Sequence, residues 1–203
     1  MLWPVSDEDT RLRAIGIEII TERDEPRVRI ETLRVARRLH AAGRKVVGLI
    51  PSDDEVAVPP IAVQLGVALA DLTGATVAYL DANVRWPAVS EVAAGESRSS
   101  ESESLFATRW LRGSLALLTP RHAERAGDVL PQLERVLFDG VELFEYVLVD
   151  LSGFDLLGEH AAAALAMDGV ILVARAGRSR ETDLMRLRDE IDPDRLLGVM
   201  LVG

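Results

Sequence analysis

Short apolar runs return along the chain at wide spacing, and this alternation constrains the fold more than any other feature. Lys45–Ile50 (KVVGLI), Thr76–Leu80 (TVAYL), Ser114–Leu118 (SLALL), Tyr146–Val149 (YVLV), Gly169–Ala174 (GVILVA) and Leu197–Val202 (GVMLV after Leu197) are apolar at successive positions. Strands buried on both faces of a parallel sheet read this way. Between them, Glu31–Ala42, Pro60–Leu72, Ala126–Phe138, Leu156–Met167 and Ser179–Ile191 place apolar residues three to four apart, the helical period. The pattern predicts an α/β fold: a doubly wound, mostly parallel sheet flanked by helices.

At 203 residues and 48% hydrophobic, the chain can fill one core of ordinary domain size. The domain is expected over 27–203, behind an N-terminal extension over 1–26 whose apolar stretch Ala14–Ile20 reads as an edge strand. Glu96–Ser104 (ESRSSESES) is polar and without periodicity, so it is expected to be a surface loop inside the domain. The first ten residues lack the basic and apolar regions of a signal peptide, and no run approaches the length of a membrane span. A cytoplasmic location is the expectation.

Composition removes several chemistries. There is no cysteine, which excludes disulfides, a thiol nucleophile and cysteine-containing zinc sites. A net charge of −10 opposes general nucleic-acid binding. The basic stretch Arg34, Arg37, Arg38, His40, Arg44 and Lys45 has no interleaved aromatic residue and reads as a solvated helix face, with Glu31 paired to Arg34 one turn on. His40, His122 and His160 show no metal-ligand spacing and read as surface or helix-end residues. Lys45 is the sole lysine, so any lysine chemistry must use it.

In an open parallel sheet, ligands sit at the carboxyl ends of the strands. Three such ends are polar: Pro51–Pro60 (PSDDEVAVPP), Asp81-Ala82-Asn83 and Asp150-Leu151-Ser152-Gly153. An aspartate directly after a strand suits Mg²⁺–phosphate chemistry, and it equally suits capping of the next turn.

Taken in order, several stretches resemble the cytoplasmic domain of the bacterial tyrosine kinases (BY-kinases) of capsule and exopolysaccharide synthesis, in the MinD/ParA branch of P-loop NTPases. Asp81-Ala82-Asn83-Val84-Arg85-Trp86-Pro87 resembles that family's second Walker motif. Glu145–Gly153 (EYVLVDLSG) resembles its Walker B strand, which normally ends Asp-Thr-Pro-Pro. Asp168–Arg180 and Arg195–Leu201 resemble its later strands, and Glu31, Arg34 and Arg37 reproduce the E-x-x-R-x-x-R pattern of its subunit contacts. The likeness spans about Ile30 to Leu201.

The resemblance places the family's phosphate loop over Ser52–Pro60, where the chain departs from the pattern. The glycine positions hold Glu55 and Ala57, the lysine position Val58 and the hydroxyl position Pro59, with Pro60 next. A phosphate loop needs glycines for its curl, a lysine for charge and a hydroxyl for Mg²⁺. Pro59 and Pro60 also remove two N–H donors, and Asp53, Asp54 and Glu55 put carboxylates where a triphosphate would sit. Lys45 precedes its strand and so belongs to the opposite edge of the sheet. One of the three carboxylates is expected to fold over the helix start in place of phosphate.

The expectation is a catalytically inactive BY-kinase-like pseudo-ATPase with no nucleotide, Mg²⁺ or other cofactor and with Asp81 and Asp150 vestigial. The resemblance implies a scaffold or regulator of polysaccharide synthesis or export. It would self-associate through Glu31, Arg34 and Arg37, or bind a BY-kinase-like paralogue or the cytoplasmic end of a membrane polysaccharide co-polymerase, without entering the membrane. Tyr79 and Tyr146 are the two tyrosines and fall in expected core strands, unlike the tyrosine-rich segment that active members phosphorylate. The alternatives are a kinase or ATPase with a rebuilt site using Asp81, Asp150 and Arg85, and a MinD/ParA-like positioning protein.

Overall fold

The computed structural model describes residues 7–14, 16–19, 25–83, 106–111, 113–120, 131, 133–135, 137, 143–154 and 158–203. Its elements run α1 (Asp7–Ala14), α2 (Pro26–Ala42), β1 (Val46–Pro51), α3 (Val58–Thr73), β2 (Val77–Asp81), β3 (Phe106–Leu111), β4 (Leu115–Pro120), β5 (Tyr146–Asp150), α4 (His160–Leu165), β6 (Gly169–Arg175), α5 (Glu181–Glu190) and β7 (Leu196–Val202). The strands form one seven-stranded sheet in the order β3-β4-β2-β5-β1-β6-β7. All neighbours are parallel except β3 and β4.

β1, β2, β5 and β6 are buried on both faces, whereas β7, equally apolar and expected to be buried, is an edge strand whose residues are half-buried or exposed. One core cluster packs Val47, Leu49, Tyr79 and Leu148 against α2 and α3; the other packs Ile50, Leu80, Val149 and Leu172 with Ala163, Ala164 and Leu187 of α4 and α5. Gly48 allows this closeness, since a Cβ there would stand 2.8 Å from Leu151 Cδ1 and 3.1 Å from Met167 Cγ. Helices stop where glycine permits a left-handed residue: Gly43 (φ 65°) returns its N–H to His40 O, and Gly74 (φ 71°) returns its N–H to Ala70 O.

Three features differ from the expected pattern. β3 is a strand that the alternation does not reveal, because FATRWL is an antiparallel edge that mixes polar with apolar residues. Ala14–Ile20 forms no strand among the described residues. Ala14 ends α1, Gly16 (φ 78°) reverses the chain, and Ile17 N–H bonds to Leu12 O instead of a neighbouring strand. Leu12, Ile17 and Ile19 are nonetheless buried in the α2/α3-side core. Finally, α3 begins at Val58, so Pro59 and Pro60 are its second and third residues rather than its first. The Glu96–Ser104 segment, His122, Val84–Pro87 and most of Ala126–Phe138 lie outside the described residues. No helix of the described residues is long and apolar enough to cross a membrane.

From β1 the chain passes through α3 beyond β5 to β2; from β5 it passes through α4 beyond β1 to β6. The connections leave in opposite directions, so the crevice at the carboxyl ends of β1 and β5 is the topological switch point.

Candidate functional site

Asp81 and Asp150 end neighbouring parallel strands and are paired in register, and both are fully buried. Asp150 Oδ1 accepts the Ser152 N–H at 2.9 Å and its hydroxyl at 2.5 Å, while the Tyr79 hydroxyl donates to Oδ2 at 3.2 Å. Asp81 Oδ1 accepts the Asn83 N–H at 3.2 Å. Each carboxylate thus closes the turn two residues beyond it, the local bond that aspartate makes readily. Burial pushes the Asp150 carboxyl up to about 6, against the opposing effect of the Ser152 and Tyr79 bonds. Burial, with the charges of Asp150 and Asp81, raises the Tyr79 phenol well above its ordinary range.

The loop after β1 bends back on itself. Asp53 Oδ1 accepts the Glu55 N–H at 3.0 Å, and Oδ2 lies 2.8 Å from both the Ser52 and Ser179 hydroxyls, themselves 2.7 Å apart. Ser179 Oγ also accepts the Arg175 N–H at 2.9 Å, and Ser52 N–H bonds to Val173 O at 2.8 Å. The Arg175 guanidinium forms an ion pair with Glu55. Loop and β6–α5 turn are therefore fastened together across the sheet edge. Asp54 is exposed.

The helix start is handled differently from the expectation. Ala57 is the N-cap residue and makes no side-chain cap bond, while Asp53 and Glu55 are engaged by the loop and by Arg175. An α-helix leaves its first four N–H groups without internal partners, and prolines at the second and third helical positions abolish two of them. The demand for an anion falls with them. Asp53 instead satisfies its own loop. Val58, where the resemblance puts the family's lysine, is fully buried in the apolar core, and Pro59 is buried beside it.

The other singled-out residues lie apart from this edge. Lys45 directly precedes β1 at the amino edge of the sheet, where its N–H and that of Val46 bond to Asp168 Oδ2 at 3.0 and 2.9 Å. Glu31, Arg34 and Arg37 share one exposed stripe of α2, and Arg34 Nη1 makes a two-pronged ion pair with Glu31 at 2.8 and 2.9 Å. His40 Nδ1 lies 2.6 Å from the buried Tyr146 hydroxyl. His160 is not at the surface: it starts α4, is buried, and contacts Glu190 of α5. Among the described residues no three metal-ligating side chains converge.

Sequence reasoning did not single out Arg175 and Ser179, and it placed Ser52, Ser152 and Tyr79 in the loop, a strand end and a core strand without the bonds they make. The available signal was position: Arg175 to Ser179 follow a strand that must end at the same sheet edge as β1.

No family model and no curated protein matches the chain. Among solved structures, the BceF tyrosine kinase domain is 21% identical with a TM-score of 0.68, over 100% of this chain and 91% of that one. The kinase domain of the Escherichia coli tyrosine kinase ETK is 18% identical with a TM-score of 0.65, over 86% of this chain and 75% of that one. A ParA family ATPase from Chlorobium tepidum TLS is 16% identical with a TM-score of 0.56, over 77% and 73%. The chain has the P-loop NTPase-like fold of bacterial tyrosine kinase domains.

Proposed function

We propose that this chain is a catalytically silent counterpart of the tyrosine kinase domains whose fold it shares, acting as a scaffold or regulator in polysaccharide synthesis or export. The observation that carries the reading is the closed loop: Asp53 holds the Glu55 N–H, Glu55 holds Arg175, and Val58 faces the core. A triphosphate needs free backbone donors and a free cation at that point; here Glu55 holds the Arg175 guanidinium, and Asp53 and Glu55 present carboxylates. The residues present do not fit a nucleotide–Mg²⁺ pair, so no phosphoryl-transfer step is assigned. Asp81 and Asp150 then serve to close their turns.

The proposed partner is a second copy or a kinase-competent paralogue, met through Glu31, Arg34 and Arg37, in the cytoplasm or at the inner membrane through a co-polymerase. Their exposure on one stripe of α2 supports that use. Titration of the purified chain with ATP and ADP in Mg²⁺, by calorimetry, tests the silent state. No binding heat is expected; micromolar affinity for either nucleotide would overturn the reading.

A further inference from the structure

The sheet ends at β7, which among the described residues pairs with β6 alone. Edge strands are commonly protected by charge, proline or a covering element. β7 reads LLGVMLV and has neither charge nor proline. Ala176 N–H bonds to Val202 O, so residues of that parity face β6. Val199 and Leu201 therefore turn their N–H and C=O groups outward, and their side chains are 49% and 66% exposed.

Beside this edge runs a groove of about 260 Å³ between α2 and β6–β7, lined by Val35, Leu39, Leu197 and Met200 with Arg38 among them. Gly198 lies in its lining, and a Cβ there would meet nothing within 4 Å. The helical wall contributes Arg38 to the groove, and α2 as a whole is cationic in an acidic chain, with five arginines and one glutamate. Arg34 is paired with Glu31, whereas Arg37 and Arg38 are exposed and make no ion pair among the described residues.

We propose that β7 and this groove accept an extended, acidic segment of another protein, which joins the sheet as an added strand. Its backbone would bond to the outward groups of Val199 and Leu201. The side chains on its α2-facing side, every second residue, would alternate between an apolar group in the groove and a carboxylate that meets Arg38. Charge selects this occupant over a second copy. Two β7 strands paired about a two-fold would set two arginine-rich α2 helices on the same face of one seam, where they repel. The inference is independent of the silent-loop reading.

The test is fluorescence anisotropy on the full chain with a labelled extended peptide whose every second residue is in turn leucine and glutamate, with threonine between, against its lysine-for-glutamate counterpart. The acidic peptide is expected to bind. The lysine peptide, and the exposed-residue variant Arg38→Glu, should each bind roughly fivefold more weakly. Leu201→Pro, which removes an outward N–H and no ladder bond, should abolish binding while circular dichroism shows the fold retained. The proposal is overturned if the acidic peptide fails to bind at about 1 mM, if both peptides bind equally, or if a folded Leu201→Pro still binds. A dimer of this chain that Leu201→Pro dissociates would also overturn it, in favour of a second copy.

Discussion

Asp81 and Asp150 face each other in register across β2 and β5, two carboxylates excluded from solvent at the ends of adjacent strands. The sheet geometry forces this nearness, because parallel neighbours in register bring equivalent strand ends together. Turn N–H groups, Ser152 and Tyr79 hold the pair in place.

Asp150 makes stability depend on pH in a defined direction. Its folded-state value of about 6 lies above the ordinary 3.8, so the folded chain binds the proton more tightly than the unfolded one. Its contribution is favourable at low pH, falls as pH rises from about 4 to about 6, and stays as a penalty of ~3 kcal/mol at neutrality. Asp150→Asn, which can still accept the Ser152 N–H, should therefore raise stability at pH 7 by ~1–3 kcal/mol relative to the parent. The advantage should shrink toward pH 4. Urea unfolding of both proteins at the two pH values measures it; a variant less stable at pH 7 contradicts the assignment.

Ser179→Ala removes a donor to Asp53, a partner of Ser52 and the acceptor of the Arg175 N–H. The expected cost is ~1–2 kcal/mol, with faster hydrogen exchange at the Glu55 amide as Asp53 loosens. Exchange unchanged at Glu55 would mean the loop holds its shape without the cross-link.

Restoring a lysine to the loop should unfold the protein before it restores a site. Val58 is fully buried, so Val58→Lys must bury an ammonium or break the start of α3. A loss of ~3 kcal/mol or more is expected in thermal or denaturant melts. A stable variant that gains ATP affinity would show that position 58 can reach the crevice.

Arg34→Glu with Arg37→Glu should lower the mass seen by light scattering if α2 mediates self-association. The exposed Glu31–Arg34 pair is worth under about 1 kcal/mol, so the fold should survive the change. An unchanged mass removes that stripe as the self-association surface.

Six strands, the α/β class and the carboxyl-edge position of Asp53, Asp81 and Asp150 were legible in the chain, because unbroken apolar runs mark sheet strands; that β7 is a half-exposed edge was not. β3 was not, since a half-wet edge strand carries no such signature. Nor did the apolar character of Ala14–Ile20 guarantee pairing; Gly16 turned those residues into packing without a ladder.

The sequence by itself determined that the loop after β1 carries no glycine and no lysine and that Pro59 and Pro60 take away two amide donors. Only tertiary structure decided what replaces them. Ser179 stands 126 residues from Asp53 in the chain, and β6 lying beside β1 brings their side chains within 2.8 Å. Strand order is settled by packing across the whole sheet, and no local pattern encodes it. Two of the carboxylates that looked like a stand-in for phosphate at the helix, Asp53 and Glu55, therefore turned to other partners: the prolines had removed much of that demand, and a neighbouring turn supplied Ser179 and Arg175.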